Sequence, residues 1–410
     1  MTNEKKNEWY LLASVFLFWF SVYTYPSFLT TYATNTLGAA KTVAGMIVGS
    51  YGLTQMILRI PLGIVSDILK KRKLFVMIGF VLSIVSAAGL TIVAMLAGRD
   101  KIPTGLAEAV LIFRGMAGMM AATWVNFSVL YASSYKGDQV TKAMSRIIVP
   151  QCGSQVLAML IGAQLAGRLG EIWAFLLAAA AAVVGLIIMS HVKEQPPTGE
   201  PMTVKGFLEV AKNPQLISGT VLAAIYQLVV WATVQGFVQN WARDVIGVTT
   251  AQLGFLSVAN LLPNTILSHF SGTILSPRFG RKVILSAGFA AIATACLLYP
   301  RTASLASLLA VQALLGSGVG LIMPLTMASA IETVPNEKRG AAMGIYQAIY
   351  GIGMFVGPVL GGIVIDRFGG TTGNAVPVQG YIANFYVAMA IAIIGGILAV
   401  LLSGKRNKTI

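Results

Sequence analysis

The sequence predicts an all-α integral membrane protein with twelve transmembrane helices in two pseudo-symmetric six-helix bundles, both termini being cytoplasmic. Three observations predict this class. The 410 residues have a mean hydropathy of +0.77 and are 56% hydrophobic. Apolar runs of about 20 residues recur from end to end, and positive charge alternates between successive connections. Only 10% of the residues are charged, which excludes a water-soluble domain.

The apolar runs define the helices in chain order, with Pro, Gly and charge clusters as breaks. Each run can cross a hydrocarbon core about 30 Å thick. The first follows MTNEKKNEW without a small-residue cleavage site and is longer than a signal-peptide core, so we expect it to stay on the protein. The predicted helices cover roughly residues 10–32, 43–66, 74–97, 104–133, 143–167, 172–192, 215–241, 250–275, 283–300, 303–331, 341–365 and 380–402.

The positive charges set the orientation of these helices. Both termini and the even-numbered connections carry twenty of the 29 Lys and Arg residues, whereas the odd-numbered connections carry seven. Because cytoplasmic segments hold the excess of cations, both ends are expected inside the cell. The net charge of +15 therefore indicates membrane topology and contact with anionic lipid headgroups, and not a nucleic-acid partner. The two remaining cations, Arg59 and Arg114, fall within helices.

An internal repeat divides the chain into two halves. The longest polar interruption runs from Lys193 to Pro214, so residues 1–192 and 215–410 are expected to form six-helix bundles joined by a cytoplasmic linker at 193–214. A shift of 209 residues aligns Gly63, Arg72, Lys73, Gly79 and Phe80 with Gly272, Arg281, Lys282, Gly288 and Phe289. A shift of 199 aligns Ala143, Met144, Gly162, Arg168 and Gly170 with Ala342, Met343, Gly361, Arg367 and Gly369. Such twin bundles are typical of transporters that alternate access around a central site.

The connection between the second and third helices, GIVSDILKKRK, resembles a signature of the major facilitator superfamily, G x L a D r x G r r/k. Gly63, Asp67, Lys71 and Arg72 match it, while Lys70 replaces the second glycine. The second half keeps Gly272, Gly280, Arg281 and Lys282. The resemblance implies a cytoplasmic latch that stabilises one access state, formed by Gly63, Asp67, Lys71, Arg72, Gly280 and Arg281. Part of this cluster also reads simply as a positive-inside anchor.

The fourth helix carries a second pattern, RGMAGMMAA, which resembles the family signature R x x q G x g a a. Arg114, Gly118, Ala121 and Ala122 match. In the drug:proton antiporter branch the matching arginine is implicated in proton coupling, so the resemblance implies that role for Arg114. Arg114 lies about ten residues, or 15 Å, into its helix, where an exposed arginine costs roughly 3 kcal/mol. It is therefore expected to face the protein interior.

A third pattern, GMFVGPVLGG from Gly353 to Gly362, matches the antiporter signature g x x x G P x x G G. In this family's antiporters the signature lies on the fifth helix, but here it lies on the eleventh. The fifth helix keeps only Gly162 of it. Small residues that let helices pack closely also explain the glycines of the eleventh helix.

The candidate substrate site combines buried cations with polar and aromatic side chains. Two deep arginines without an acid at comparable depth indicate either polar partners within the bundle or an anionic group on the cargo. On the seventh helix, Gln227, Trp231 and Gln235 share one face because they are spaced by four. The resemblance implies that helices one, four, seven and ten line a central cavity. The candidate substrate-binding residues are Tyr23, Tyr25, Arg59, Arg114, Gln227, Trp231, Gln235 and Gln312.

These observations predict a proton-coupled secondary transporter in the cell membrane, exporting a small amphiphilic or anionic organic compound by alternating access. No cofactor is expected, since the proton gradient supplies the energy, and the functional unit is expected to be a monomer. Uptake or exchange of an anionic metabolite is the alternative within transport, and a non-transporting receptor or scaffold is the alternative outside it. An enzyme is disfavoured because the polar connections contain no His/Asp cluster, zinc motif or nucleotide loop.

Overall fold

The structure, a computed structural model, describes residues 3–99, 103–132, 139–194, 209–335, 338–369 and 376–402. Within these ranges all regular elements are helical. We number the principal helices in chain order: α1 Asn3–Tyr23, α2 Lys41–Leu69, α3 Arg72–Ala97, α4 Leu106–Ala122, α5 Gln139–Leu169, α6 Glu171–Ser190, α7 Pro214–Ala232, α8 Thr250–Phe270, α9 Arg281–Leu298, α10 Leu305–Ile331, α11 Arg339–Phe368 and α12 Val378–Leu402.

Several helices continue after a local irregularity. α1 is followed by the short helix Pro26–Thr31 and the π-helical turn Tyr32–Thr36, and α4 by Trp124–Ala132. α7 passes through a π-helical turn, Thr233–Phe237, into Val238–Asp244. α8 does the same through Ser271–Leu275 into Ser276–Phe279, and α9 ends in the 3-10 turn Tyr299–Arg301.

Eleven of the described helical segments are long and apolar enough to cross a membrane. α8 with its continuation is long enough to be a twelfth, but Asn260, Asn264 and His269 make it more polar than the others. The predicted order and number of helices therefore agree with a chain of eleven or twelve membrane-spanning helices. Their observed ends differ from the predicted ones by several residues, because helices such as α2 extend beyond the apolar run into polar sequence.

Contacts between Cα atoms divide the chain into two compact units. Unit 1 comprises Met1–Ala39, Ser50–Pro201 and Thr249–Gly254. Unit 2 comprises Ala40–Gly49, Met202–Val248 and Phe255–Ile410. The first turns of α2 thus pack within unit 2, and the first residues of α8 pack within unit 1. Most of the predicted linker lies outside the described residues.

In unit 1, α1 packs against α5 and α6, and α3 packs against α4 and α6. The centre of this packing is aromatic. Phe80 of α3 meets Phe18 of α1 edge to face, with ring centres 5.5 Å apart. Phe80 also lies against Gly185 of α6, where an added Cβ atom would overlap the ring. The small residue at this position allows α6 to approach α3 closely.

In unit 2, α7 packs mainly against α11 and α10, while α9 packs against α10 and α12. Two glycines of GMFVGPVLGG lie in the interface between α7 and α11. Gly353 and Gly357 of α11 face the carbonyl oxygens of Ala224 and Leu228 on α7, so a Cβ atom at either glycine would overlap the α7 backbone. Close helix packing is thus a sufficient physical reason for the antiporter-like pattern on α11.

Candidate functional site

Arg114, at the middle of α4, is only 4% exposed. Its guanidinium carbon lies 4.3 Å from the centre of the Tyr51 ring and 5.3 Å from the centre of the Tyr25 ring. A desolvated cation–π contact is worth about 2 kcal/mol. Within the described residues Arg114 forms no ion pair, and its Nε and Nη1 atoms have no hydrogen-bond acceptor. Aromatic faces therefore stabilise the buried charge, while the Nε and Nη1 donors of Arg114 stay without an acceptor among the described residues.

A close approach of α4 to α2 places Tyr51 beside Arg114. A Cβ atom at Gly118, one turn after Arg114, would overlap the carbonyl oxygen of Tyr51 and the hydroxyl of Thr54. The Thr54 hydroxyl in turn donates a hydrogen bond to the carbonyl oxygen of Gly115 at 2.7 Å. The glycine and the hydrogen bond together fix the register of the two helices. The RxxxG spacing of the fourth-helix signature thus has a direct geometric meaning here.

A break in α1 places Tyr25 near the same guanidinium. Tyr25 separates α1 from the helix that starts at Pro26, and Pro26 has no backbone N–H to continue the first helix. At the break, Gly162 of α5 packs directly on the carbonyl oxygen of Thr24, where an added Cβ atom would overlap it. The Tyr25 ring also contacts Phe175 of α6 edge to face at 5.7 Å. Gly162 therefore supports the position of Tyr25 through the backbone of Thr24.

Arg59 is a second buried cation on α2. It is 3% exposed, and its Nε and Nη1 atoms have no acceptor among the described residues. Tyr51, Gln55 and Arg59 are spaced by four and are all buried, so they share one inward face of α2. Arg59 lies about 12 Å further along that face than Tyr51. Unit 1 therefore buries two guanidinium groups that retain unused donors.

The remaining predicted binding residues differ in accessibility. Tyr23, Gln227 and Gln235 are partly exposed, and Trp231 is 7% exposed. Gln312 is wholly buried inside unit 2, where its Oε1 atom accepts a hydrogen bond from the Tyr299 hydroxyl at 3.3 Å. The backbone oxygen of Gln312 also accepts a bond from Asn260 at 3.4 Å. The structure thus places Gln312 in an internal contact between α8, α9 and α10.

Gln235 lies in the π-helical turn Thr233–Phe237, which starts two residues after Trp231. Side chains satisfy the carbonyl groups around the turn: Asn384 donates to the oxygen of Ala232 at 3.1 Å, and Gln239 donates to the oxygen of Val234 at 2.6 Å. π-helical turns inside α-helices are frequent at functional sites. In the sequence, a single glycine, Gly236, is the one feature that could indicate this turn.

The first-half residues of the predicted latch lie near the end of α2 and the start of α3. Gly63 is half-buried on α2, and the side chain of Asp67 lies outside the described residues. Lys70 has a φ of +53°, the conformation that the signature's second glycine would adopt without strain. Lys71 is exposed and precedes α3.

The start of α3 has a partner that sequence reasoning missed. Glu194 accepts hydrogen bonds from the backbone N–H groups of Arg72 at 2.6 Å and Lys73 at 3.2 Å. The Lys73 ammonium donates to the carbonyl oxygens of Ser190 and Val192, both at 2.7 Å. A carboxylate at the start of a helix stabilises it through the unpaired N–H groups and the helix dipole. The end of α6 is therefore tied to the start of α3.

The corresponding cations of unit 2 form a separate contact. Arg281 follows Gly280, whose φ of +85° ends the α8 continuation. The Arg281 guanidinium pairs with Glu332 at 2.7 Å and donates to the Ser329 hydroxyl at 3.3 Å. Arg281 thus connects the start of α9 to the end of α10. In the first half Glu194 binds the backbone N–H groups of Arg72 and Lys73, whereas in the second half Glu332 pairs with the side chain of Arg281.

A family model described as Major Facilitator Superfamily matches residues 11–242 and 220–409. An uncharacterized MFS-type transporter, MJ1560 of Methanocaldococcus jannaschii, is 24% identical over 410 residues, which cover 95% of this chain and 97% of the relative. The quinolone resistance protein NorA of Staphylococcus aureus is 25% identical over 164 residues, or 40% of this chain and 39% of the relative. Among solved structures, the chain aligns with a bacterial homolog to the human lysosomal transporter Spinster, which was solved in an inward-facing and occupied conformation. The TM-score is 0.72 and the sequence identity is 16%, and the alignment covers 96% of this chain and 95% of that chain.

Proposed function

Because the chain belongs to the major facilitator superfamily, we propose that it is a proton-coupled secondary transporter that exports a small amphiphilic or anionic organic compound by alternating access. The family consists of multi-pass membrane transporters and not of enzymes. The observation that carries the proposal is the position of Arg114, a buried cation that contacts two tyrosine rings and has unused donors. No cofactor is required, since a proton gradient would supply the free energy.

The chemistry of this site favours a cargo with an anionic or strongly polar acceptor group. A guanidinium presents a planar fork of donors that matches a carboxylate or phosphate. In Arg114 the ring contacts compensate part of the burial penalty of the charge but accept none of its N–H groups. The adjacent tyrosine rings favour a cargo that also carries an apolar part. Arg59 offers a second set of unused donors in the same unit.

Arg114 can take part in proton coupling only indirectly. A guanidinium stays protonated throughout the physiological pH range, so it cannot carry the transported proton itself. Its fixed charge would instead favour binding of an anion and disfavour protonation of groups nearby. The same proposal includes a cytoplasmic latch that stabilises one access state and consists of Gly63, Asp67, Lys71, Arg72, Gly280 and Arg281. The exposed cations bind anionic lipid headgroups.

Flux into proteoliposomes with an imposed pH gradient tests this function. A thermal-shift screen against carboxylates, sugars and lipophilic cations first identifies a cargo. We expect gradient-driven flux in the wild type and at least a tenfold loss in Arg114→Ala, since a hydrogen bond from a charged group to the cargo is worth about 1.5–3 kcal/mol. Arg168→Ala removes an exposed cation of α5 and is the matched control, for which wild-type flux is expected. Wild-type flux in Arg114→Ala would remove Arg114 from the mechanism.

Uptake or exchange of an anionic metabolite is the second candidate. The two buried arginines favour an anion, and close packing of α11 against its neighbours accounts for the antiporter-like glycines. Flux measured in right-side-out vesicles distinguishes uptake from export. Accumulation of the anion inside such vesicles would overturn export and support uptake, whereas gradient-dependent extrusion would support export. A receptor or scaffold that does not transport would keep full function in Arg114→Ala.

A further inference from the structure

Besides Arg114, three side chains of unit 1 bury N–H groups that have no acceptor among the described residues. They are Trp19 on α1 with its Nε1 atom, Arg59 on α2 with its Nε and Nη1 atoms, and Asn126 with its Nδ2 atom on the α4 continuation, Trp124–Ala132. Their exposed fractions are only 4%, 3% and 1%. A buried donor without a partner is destabilising. Because all of these atoms are donors, the group that would satisfy them has to be an acceptor.

A pair of tryptophan rings joins α1 to the α4 continuation. The Trp19 and Trp124 rings meet edge to face, with their centres 5.1 Å apart. Beside them Phe18 and Phe127 form a second edge-to-face contact at 5.5 Å. Trp19 is buried, whereas Trp124 is partly exposed. The Trp124 ring therefore keeps accessible aromatic surface next to the indole whose N–H group is unpaired.

The depth of Trp19 does not fit an interfacial anchor. Tryptophan in membrane proteins is enriched at the membrane–water interfaces. Trp19 instead lies about 14 residues, or 21 Å, into the 32-residue span Lys5–Thr36. None of the side chains at residues 10–23 and 113–132 is classed as exposed. The tryptophan pair therefore belongs to the interior of the molecule, at a depth where an unpaired N–H group is not hydrated by the interface.

Contact between α2 and the α4 continuation brings Arg59 to the same region. A Cβ atom at Gly63 would lie 3.9 Å from the side chain of Val125, which stands between Trp124 and Asn126 in the chain. Arg59 precedes Gly63 by four residues, or about 6 Å, and shares its face of α2. Arg59 therefore lies on the face of α2 that meets the α4 continuation. The three sets of unpaired donors thus belong to one junction of α1, α2 and the α4 continuation.

We propose that this junction binds an aromatic carboxylate. The two carboxylate oxygens accept several hydrogen bonds and match the guanidinium of Arg59 and the amide N–H groups of Asn126. The planar ring of the ligand packs on the accessible face of Trp124, and the Trp19 indole donates to an acceptor atom of the ligand. A saturated acid would lose the ring contact, and a neutral aromatic compound would lose the charge-assisted bonds.

This inference rests on the proposed function for the transport of the bound acid, and it narrows the cargo from an organic anion to an aromatic one. The junction is separate from the Arg114 contact. Trp19 precedes Tyr25, the α1 residue that contacts Arg114, by six residues, or about 9 Å along the helix. An anion at the junction therefore lies at a different depth in unit 1 from an anion at Arg114.

Equilibrium binding without a proton gradient tests this site. The full-length protein in phosphatidylcholine nanodiscs is titrated in a calorimeter at neutral pH, and empty nanodiscs give the correction for partition into lipid. The probes are naphthoate, its saturated analogue decahydronaphthoate, and the neutral aromatic naphthalenemethanol. We expect naphthoate to bind about tenfold more tightly than either of the other two, because each lacks one of the two kinds of contact.

Three variants locate the bound probe. Trp19→Phe keeps an aromatic ring but removes the N–H group, and Asn126→Leu removes the amide at similar volume, so each should weaken naphthoate binding about tenfold. Arg59→Gln should weaken naphthoate binding at least tenfold and leave naphthalenemethanol binding nearly unchanged, which also shows that the variant is folded. Trp173→Phe on α6, where the side chain is 54% exposed, is the matched control and should bind naphthoate like the wild type.

Three results would overturn the inference. They are no binding of naphthoate to the wild type, wild-type affinity in both Trp19→Phe and Asn126→Leu, and equal losses of naphthoate and naphthalenemethanol binding in Arg59→Gln.

The outcome is distinguishable from that of the proposed function. If naphthoate binding depends on Trp19 and Arg59 but no gradient-driven flux of any anion occurs, the site stands and the transport function fails. If a pH gradient drives flux of another cargo while naphthoate binding is absent or independent of Trp19 and Asn126, the proposed function stands and this inference fails.

Discussion

The guanidinium of Arg114 lies against the ring of Tyr51, with 4.3 Å between the guanidinium carbon and the ring centre. The two residues belong to different helices, and Gly118 allows those helices to approach closely enough for the contact. A buried arginine in a membrane protein is expected to pair with an acid. Here ring faces take that place, which leaves polar donors of Arg114 for another partner.

Replacing Tyr51 by leucine should destabilise the protein by about 2 kcal/mol, because the buried cation loses its nearest ring. Tyr51→Phe is the matched control, since it keeps the ring and removes only the hydroxyl. The midpoint of thermal unfolding in one detergent should therefore fall for Tyr51→Leu and change less for Tyr51→Phe. Equal midpoints for the two variants would show that the ring face does not stabilise Arg114.

Replacing Gly162 by alanine should destabilise the protein by about 1–3 kcal/mol, because the added methyl group overlaps the Thr24 backbone. Gly153 of the same helix faces open space, so Gly153→Ala should be neutral or stabilise by about 0.5–1 kcal/mol through helix propensity. Flux should follow the same order, since displacing Thr24 moves Tyr25 away from Arg114. A neutral Gly162→Ala would contradict the role of this glycine in placing Tyr25.

Hydropathy predicts the helices of this chain because a spanning helix must be apolar along its whole length. α8 shows where that reasoning weakens, since Asn260 and Asn264 are compatible with a spanning helix only if they face protein. The burial of Arg114 is likewise predictable from the penalty of exposing a charge to lipid. The contact of Arg114 with Tyr51 is not predictable in this way. It depends on the register of α4 against α2, which close packing at Gly118 determines and which hydropathy does not encode.

Other residues were missed because their sequence context is ordinary. Glu194 lies in a polar stretch after α6, where a single acid carries no signal, and only the fold brings it to the start of α3. Asp244 and Asp366 lie at helix ends, where charges are common. Their shared contact with Lys41 joins residues about 200 to 325 positions apart in the chain. Such long-range pairs require the tertiary structure.

The pKa of Glu209 is lowered by the hydrogen bond and the charge of the Lys338 ammonium, which lies 2.8 Å away. A lowered carboxyl pKa means that this pair stabilises the fold above the ordinary pKa of glutamate and that its contribution is lost as the pH falls through the lowered value. Because Glu209 is exposed, the effect should be small and should decrease with salt. Unfolding midpoints of the wild type and Glu209→Gln should therefore converge at acidic pH and differ slightly near neutrality in low salt. A difference that grows as the pH falls would contradict this sign.

Lys70 is the residue in the α2–α3 connection whose replacement by glycine should stabilise the protein. Its φ of +53° is unfavourable for a side chain by about 1–2 kcal/mol, whereas glycine adopts it freely. Glycine also makes the unfolded chain more flexible, which offsets part of the gain, so a net stabilisation of about 0.5–1 kcal/mol is expected. Lys71, with a φ of −129°, is the matched control, because Lys71→Gly removes an equivalent charge from a position without that strain. The unfolding midpoint should rise for Lys70→Gly and fall or stay constant for Lys71→Gly. A lower midpoint for Lys70→Gly would mean that the Lys70 side chain stabilises the protein by more than its backbone strain destabilises it.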